Sequence, residues 1–193
     1  MRIAVLASGR GSNLQALIAA QRSGRIDAEI VVVASDKRRA GALQIAAEAG
    51  IETIVFSPRD FESRVAFDLA LFARVAECQP DLIVLAGYMR IVDPSALVAW
   101  QGRIINIHPS LLPKYPGLDT HQRAIDAGDS EHGASVHYVT AELDGGPVIA
   151  QTRVPIRTDD TPELLAARLL PLEHELLVNT VGNLAGNRQQ DRS

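Results

Sequence analysis

Short apolar runs alternate with longer amphipathic segments along most of the chain. Runs that are almost entirely apolar are typical of strands covered on both faces of a sheet. Such runs occur at residues 3–7, 29–34, 53–56, 81–86 and 103–107. The segments between and after these runs place apolar residues at helical spacing. The predicted helices begin after Asn13 and near residues 40, 60, 94 and 120.

This order of elements predicts an α/β fold. Strands that alternate with helices form right-handed βαβ crossovers, so we expect a Rossmann-like open, mostly parallel sheet with helices on both faces. Two later strands, near residues 134–140 and 147–154, are joined by an Asp-Gly-Gly turn and predict a C-terminal antiparallel hairpin. If the strand order begins 3-2-1-4, ligands bind beyond the carboxyl ends of the first, fourth and fifth strands.

Several helix ends can be assigned from single residues. Asp60 is the expected N-cap of the long third helix, and Pro80 follows its end. The run Asp160-Thr161-Pro162-Glu163 is a typical start for the last helix. Pro171 lies inside that helix, where proline costs about 3 kcal/mol or forces a kink.

The chain has 193 residues, which suits one domain with a full core. We place a single domain at residues 1–186 and expect the polar tail at 187–193 to be disordered. A net charge of −4 provides no field that would attract a polyanion, so nucleic acid is not an expected partner.

Other features bear on the location of the protein. Cys78 is the single cysteine, which excludes an intrachain disulfide. No apolar run approaches the roughly 18 to 20 residues of a membrane-spanning helix. The chain enters a strand at once, which leaves no room for a signal peptide. We therefore expect a cytoplasmic protein with no membrane partner, as a monomer or a homodimer.

The segment Gly9-Arg10-Gly11-Ser12-Asn13 connects the first strand to the first helix. Backbone N–H groups at a helix start suit a phosphate, and glycine lets the anion approach closely. The segment is not a full GxGxxG and lacks the lysine of a P-loop, which favours a single phosphate over a dinucleotide. The alternative is an ordinary tight turn with Ser12 as the N-cap.

Asn106 and His108 are two residues apart at the end of the fifth strand. In a strand both side chains point to the same face, and Ile107 points to the other. A histidine there can act as a general acid or base, and an amide can donate to a developing oxyanion. The alternative is a hydrogen-bonded structural histidine and an asparagine in a turn. Three prolines follow and would stiffen the loop, at positions 109, 113 and 116.

Asp144 lies in the hairpin turn and has two interpretations. One is that it is part of a common Asp-Gly turn, and the other is that it is a carboxylate that orients His108 and favours its charged form. Sequence spacing does not show whether the two meet. The remaining histidines lack metal-site spacing, so no metal is expected; they are His121, His132, His137 and His174. We expect His137, inside an apolar strand, to be packed or to support the site.

Several stretches together are specific enough to identify a family. They are NIHPSLLP at 106–113, GASVH at 133–137 and LDGGP at 143–147, with support from GRGSNLQ at 9–15, AGYMRI at 86–91 and KYPG at 114–117. From Ile3 to about Gly186 the chain resembles the formyltransferases that use 10-formyltetrahydrofolate. It is most similar to the branch that formylates the amine of 5-phosphoribosylglycinamide in de novo purine biosynthesis.

The resemblance implies an enzyme with 10-formyltetrahydrofolate as co-substrate and assigns roles to individual residues. It implies a catalytic trio of Asn106, His108 and Asp144. The residues implied to bind the ribonucleotide are Gly11, Ser12, Asn13 and Glu173. The residues implied to line the folate site are Arg64, Met89, Arg90, Ile91, Val92, Asn106, Thr140, Ala141, Glu142, Leu143 and Asp144. The chain departs from the family pattern at Leu170, where glutamine is common near the ribonucleotide, and at Asp119, where histidine is common.

Three other functions are compatible with parts of the sequence. Formyltetrahydrofolate deformylase has a similar catalytic domain but uses water in place of the amine, and usually carries an extra N-terminal domain that we do not expect here. A methionyl-tRNA formyltransferase needs a second, basic domain for tRNA. A non-catalytic nucleotide-binding module would explain residues 9–13, but it would leave Asn106, His108 and Asp144 without a role.

Overall fold

Seven strands form one sheet in the computed structural model, which describes residues 1–190. The strands are β1 (Arg2–Leu6), β2 (Glu29–Ser35), β3 (Glu52–Val55), β4 (Leu82–Leu85), β5 (Ile104–His108), β6 (Glu131–Tyr138) and β7 (Val148–Pro155). Their order is β3-β2-β1-β4-β5-β6-β7. The first five strands are parallel, and β6 is antiparallel to both β5 and β7. This confirms the predicted Rossmann-like α/β fold with its antiparallel hairpin.

Helices cover both faces of the sheet. They are α1 (Ser12–Arg22), α2 (Gly41–Glu48), α3 (Arg64–Glu77), α4 (Pro94–Leu97), α5 (Thr120–Asp126) and α6 (Pro162–Gln190). Successive residues of β1 enter opposite cores, because side chains alternate along a strand. Ile3 and Val5 pack with α1 and α6, whereas Ala4 and Leu6 pack with α3.

The start of α3 differs from the prediction. Ser63, not Asp60, is the N-cap, and its Oγ accepts a hydrogen bond from Ala66 N at 3.1 Å. Asp60 instead ends a short 3-10 helix at Pro58–Asp60. Phe61 then has an extended backbone, so the chain leaves the helical region before α3 begins. Sequence alone did not distinguish these two closely spaced caps.

The last helix is continuous through Pro171. Pro171 lies on the exposed side of α6, where the carbonyl of Ala167, deprived of its helical N–H partner, can bond to water. The helix extends to Gln190, so residues 187–190 of the expected tail are helical, whereas residues 191–193 lie outside the described residues. Within residues 1–190, no helix has both the length and the apolar character needed to cross a bilayer.

Candidate active site

A cleft of about 330 Å³ opens beyond the carboxyl ends of β4 and β5. Its walls come from three segments: residues 87–92 after β4, the end of β5 with the proline loop, and residues 139–144 between β6 and β7. These strands are adjacent in the sheet, and their ends therefore converge on one edge. The volume is in the range of small-molecule sites.

Asn106, Ile107 and His108 all border this cleft, but the Ile107 side chain belongs to the core that packs with α1 and α6. The alternation along β5 thus brings the two polar side chains together, as their spacing predicted. His108 Nε2 lies 2.9 Å from the carbonyl oxygen of Tyr115, which can only accept. Nε2 therefore carries a proton and donates, and Nδ1 is the nitrogen left to act in the cleft.

Asp144 meets His108 across the cleft. Its Oδ2 lies 3.5 Å from His108 Nδ1 and accepts a hydrogen bond from Gly117 N at 2.8 Å. Asp144 has a φ of 51°, a left-handed conformation that aspartate tolerates better than most residues. Gly146 makes the turn possible, because a Cβ there would lie 1.8 Å from the carbonyl oxygen of Tyr138.

His137 joins Asn106 to the same cluster. It is directly opposite Asn106 in the β5–β6 pairing, and its Nε2 lies 3.2 Å from Asn106 Nδ2. His137 Nδ1 donates to the Tyr138 carbonyl oxygen at 2.9 Å, so Nε2 of the neutral ring accepts one amide hydrogen of Asn106. The second amide hydrogen remains available to a ligand.

The charge of Asp144 follows from these neighbours. Burial alone would raise the pKa of this carboxyl, but the His137 ring, the Gly117 N–H and the His108 ring outweigh burial and lower the pKa below its ordinary value. Asp144 is therefore ionised at neutral pH. The Oδ1–His137 Nε2 distance of 3.6 Å is beyond hydrogen-bond range, whereas the Gly117 N–H donates to this carboxylate at 2.8 Å.

The structure brings most of the predicted folate-site residues into the cleft lining. All members of 89–92 and 140–144 are there, with Met89 and Ile91 strongly exposed. Arg64 is not among the lining residues. Its Nη2 pairs with Asp93 Oδ2 at 3.2 Å, next to the end of the 89–92 segment. Sequence reasoning missed several lining residues, among them Gly117, Leu118 and Val139.

The predicted phosphate segment lies outside this cleft, at the start of α1. Gly11 occupies the N-cap position with a φ of 85°, and no side chain caps the helix. Ser12 is therefore the first residue of α1 and not its cap. A Cβ on Gly11 would approach Ala42 Cα to 2.7 Å, so the turn packs tightly on α2. Uncapped N–H groups in the first turn suit an anion.

A polar atom of α1 and a carboxyl of α6 are buried in this region. Among residues 1–190 the buried Asn13 Oδ1 has no hydrogen-bond partner, and burial raises the pKa of Glu173 to about 7. Glu173 is 9% exposed and lies on α6, which packs against α1. Leu170 precedes it by about one helical turn and is partly buried. Unsatisfied buried groups of this kind suit a ligand with hydroxyl or N–H donors.

The described residues contain no group of three or more His, Cys, Asp or Glu side chains arranged to hold a metal ion. His121 and His132 contact each other, with Nδ1 and Nε2 3.1 Å apart. Burial, followed by the charge of His121, lowers the pKa of His132 to about 4. Both rings of this pair therefore stay neutral at physiological pH. Their contact is a packing contact between α5 and β6.

The fold, the cleft and its polar cluster define a formyltransferase domain, and the chain belongs to the formyl transferase family, whose model matches residues 1–181. One relative, the phosphoribosylglycinamide formyltransferase of Escherichia coli (strain K12), is 46% identical over 188 residues, which are 97% of this chain and 89% of the relative.

Solved structures of proteins with these names are also similar to this chain. The glycinamide ribonucleotide transformylase 1 of Symbiobacterium toebii superposes with a TM-score of 0.95 at 44% identity, covering 97% of this chain and 89% of the other. The phosphoribosylglycinamide formyltransferase of Brucella melitensis has a TM-score of 0.90 at 48% identity, with 95% of both chains covered. These matches confirm the family resemblance found in the sequence.

Proposed function

We propose that this protein transfers the formyl group of 10-formyltetrahydrofolate to the amine of 5-phosphoribosylglycinamide. The observation that carries the proposal is the convergence of Asn106, His108 and Asp144 at one end of the cleft. The names of the relatives describe formyl transfer to phosphoribosylglycinamide for those proteins. Neither the hydrolase nor a non-catalytic module has an observation in its favour.

The cleft fits the folate co-substrate by its shape and chemistry. The lining from residues 87–92 and 139–144 is mainly apolar and includes a few polar side chains, which suits a flat, polar-edged ring. The ribonucleotide phosphate would bind the uncapped N–H groups of Gly11, Ser12 and Asn13. Glu173 would accept hydrogen bonds from the ribose hydroxyls after ionising on binding.

The polar cluster can perform the transfer without a covalent intermediate on the protein. The substrate amine attacks the formyl carbon, and the free N–H of Asn106 and the Nδ1–H of protonated His108 stabilise the developing oxyanion. Collapse breaks the bond from the formyl carbon to N10 of the folate. One proton leaves the amine and one reaches N10, carried by Asp144 and His108 directly or through one water.

One assay tests the reaction. The purified protein is mixed with 10-formyltetrahydrofolate, with and without 5-phosphoribosylglycinamide, and the folate absorbance is followed. We expect tetrahydrofolate and formylated ribonucleotide to appear together, only when both substrates are present. Release of formate without the ribonucleotide would indicate the hydrolase, and the absence of both products would reject the proposal.

Two further features belong to the proposal. The substrates are small molecules, and one group of relatives is named for purine biosynthesis, so we propose that this chain acts in that process in the cytoplasm. We expect it to work as a monomer or a homodimer, and light scattering coupled to size exclusion will distinguish the two.

A further inference from the structure

Ser8 connects three loops at the carboxyl edge of the sheet. It follows β1, the strand that lies between β2 and β4. Its Oγ donates to Asp36 Oδ1 at 2.6 Å and accepts from Met89 N at 2.9 Å. Ser8 N donates to the Gly87 carbonyl oxygen at 3.0 Å. Asp36 follows β2, and Gly87 and Met89 follow β4, so one residue holds the loops of three adjacent strands.

The direction of these hydrogen bonds is set by chemistry. A carboxylate can only accept and a backbone N–H can only donate, so the single hydroxyl proton of Ser8 goes to Asp36. The oxygen lone pairs are then turned toward Met89 N. The bond from hydroxyl to carboxylate is short and charge-assisted, which makes it stronger than a neutral one. Asp36 therefore fixes the rotamer in which Ser8 accepts from the 87–92 segment.

Burial makes this arrangement rigid. Ser8 is 3% and Asp36 8% exposed, so water cannot replace either bond without cost. The next residue, Gly9, is also anchored, because its carbonyl oxygen accepts from Ala42 N at 3.2 Å. The segment that precedes α1 and the segment that lines the cleft thus share one buried anchor.

We infer that Ser8 and Asp36 are positioning residues that hold the folate-binding segment in register with the ribonucleotide phosphate loop. The inference rests on the proposed function and deepens it, because neither side chain lines the cleft. The reaction requires the formyl carbon and the attacking amine to meet within a few tenths of an ångström of their reactive geometry. A shared anchor limits independent movement of the two binding loops.

Steady-state kinetics test the role in activity. Ser8→Ala and Asp36→Ala should raise the KM for 10-formyltetrahydrofolate about tenfold and lower kcat, since each removes a buried hydrogen bond. The KM for the ribonucleotide should stay within about twofold. Asp36→Asn should retain most activity because Oδ1 still accepts, and the effects of the two alanine changes should not add in the double variant.

Thr180→Val is the matched control. Thr180 is 3% exposed, and within residues 1–190 its hydroxyl donates to the Leu176 carbonyl oxygen of its own helix. Its loss should leave both KM values unchanged. An unchanged folate KM in Ser8→Ala, or an equal rise of both KM values, would overturn the inference.

Amide hydrogen exchange separates this inference from the proposed function. The Met89 N–H should exchange at least about tenfold faster in Ser8→Ala than in the wild-type protein and should be unaffected by Thr180→Val. This readout needs no substrate, so it remains valid if the wild-type protein forms no product. Equal exchange rates at Met89 would reject the anchor, whereas failure of the wild-type assay alone would reject the reaction. If Ser8→Ala does not fold, Asp36→Ala answers the same question.

Discussion

Asp144 Oδ2 lies 3.5 Å from His108 Nδ1, although the two residues belong to different loops on opposite sides of the cleft. His108 Nε2 is committed to the Tyr115 carbonyl oxygen, so a neutral His108 would turn the lone pair of Nδ1 toward a carboxylate. Nδ1 is thus the ring nitrogen through which His108 and Asp144 can exchange a proton during the reaction.

Removal of the Asp144 charge should slow the reaction much more than it weakens folate binding. We expect Asp144→Asn to lower kcat by about 100-fold or more. His108 would lose its carboxylate partner, and the proton transferred in the reaction would lose its acceptor. Turnover with saturating substrates measures the effect. Asp126→Asn is the matched control, because Asp126 is exposed on α5 and bonds only to Gln122. Near-wild-type turnover in Asp144→Asn would exclude Asp144 from the mechanism.

Loss of the Asn106 amide should remove one oxyanion donor. Asn106→Ala is expected to lower kcat by about 100- to 1000-fold, the range found when single donors of this kind are deleted. His137→Ala should have a smaller effect in the same direction, since His137 contacts the Asn106 amide and does not itself donate to the oxyanion. The ratio of the two kcat values is the measurement, and an equal loss in both variants would assign His137 a direct role.

The loop before α1 should affect the binding of the ribonucleotide and not that of the folate. Asn13→Ala should raise the KM for 5-phosphoribosylglycinamide about tenfold and leave the KM for the folate unchanged, because Asn13 is not among the residues that line the cleft. Asn179→Ala removes an exposed amide that bonds only to Arg25 and serves as the control. A rise in the folate KM alone would contradict the phosphate assignment.

Glu173 should make the stability of the ligand-free protein depend on pH. Burial raises the pKa of Glu173 from 4.5 to about 7 in the folded state. The folded protein binds this proton more tightly than the unfolded chain, so the contribution is complete below pH 4.5 and is lost as pH rises to about 7. The difference corresponds to about 3 kcal/mol, to order of magnitude.

The measurement is the melting temperature at several pH values between 5 and 8. Glu173→Gln keeps the shape and cannot ionise, so its melting temperature should fall less with rising pH than that of the wild-type protein. Glu175→Gln is the control, since Glu175 is exposed and pairs with Arg25. Parallel curves for wild-type and Glu173→Gln proteins would show that Glu173 does not titrate in this range.

The limits of the sequence are visible at particular residues. The arrangement at the end of β5 was predictable, because side chains alternate between the two faces of a strand. Asn106 and His108 are two residues apart and therefore lie on one face. His137 was seen only as a histidine in an apolar strand, since its contact with Asn106 depends on the register of β5 and β6. Arg64 was assigned to the folate site by resemblance, yet it pairs with Asp93 at the edge of that segment.

The sequence by itself determined the order of strands and helices, the family and the polar pair at the end of β5, because hydrophobic periodicity and local motifs act over a few residues. Only the tertiary structure decided that Asp144 reaches His108, that Ser63 caps α3 and that Ser8 joins three loops. The Asp144 and Ser8 contacts link residues that are distant along the chain, and sheet order and strand register set the distances between them. The cap of α3 depends on the backbone conformation of a few residues before the helix.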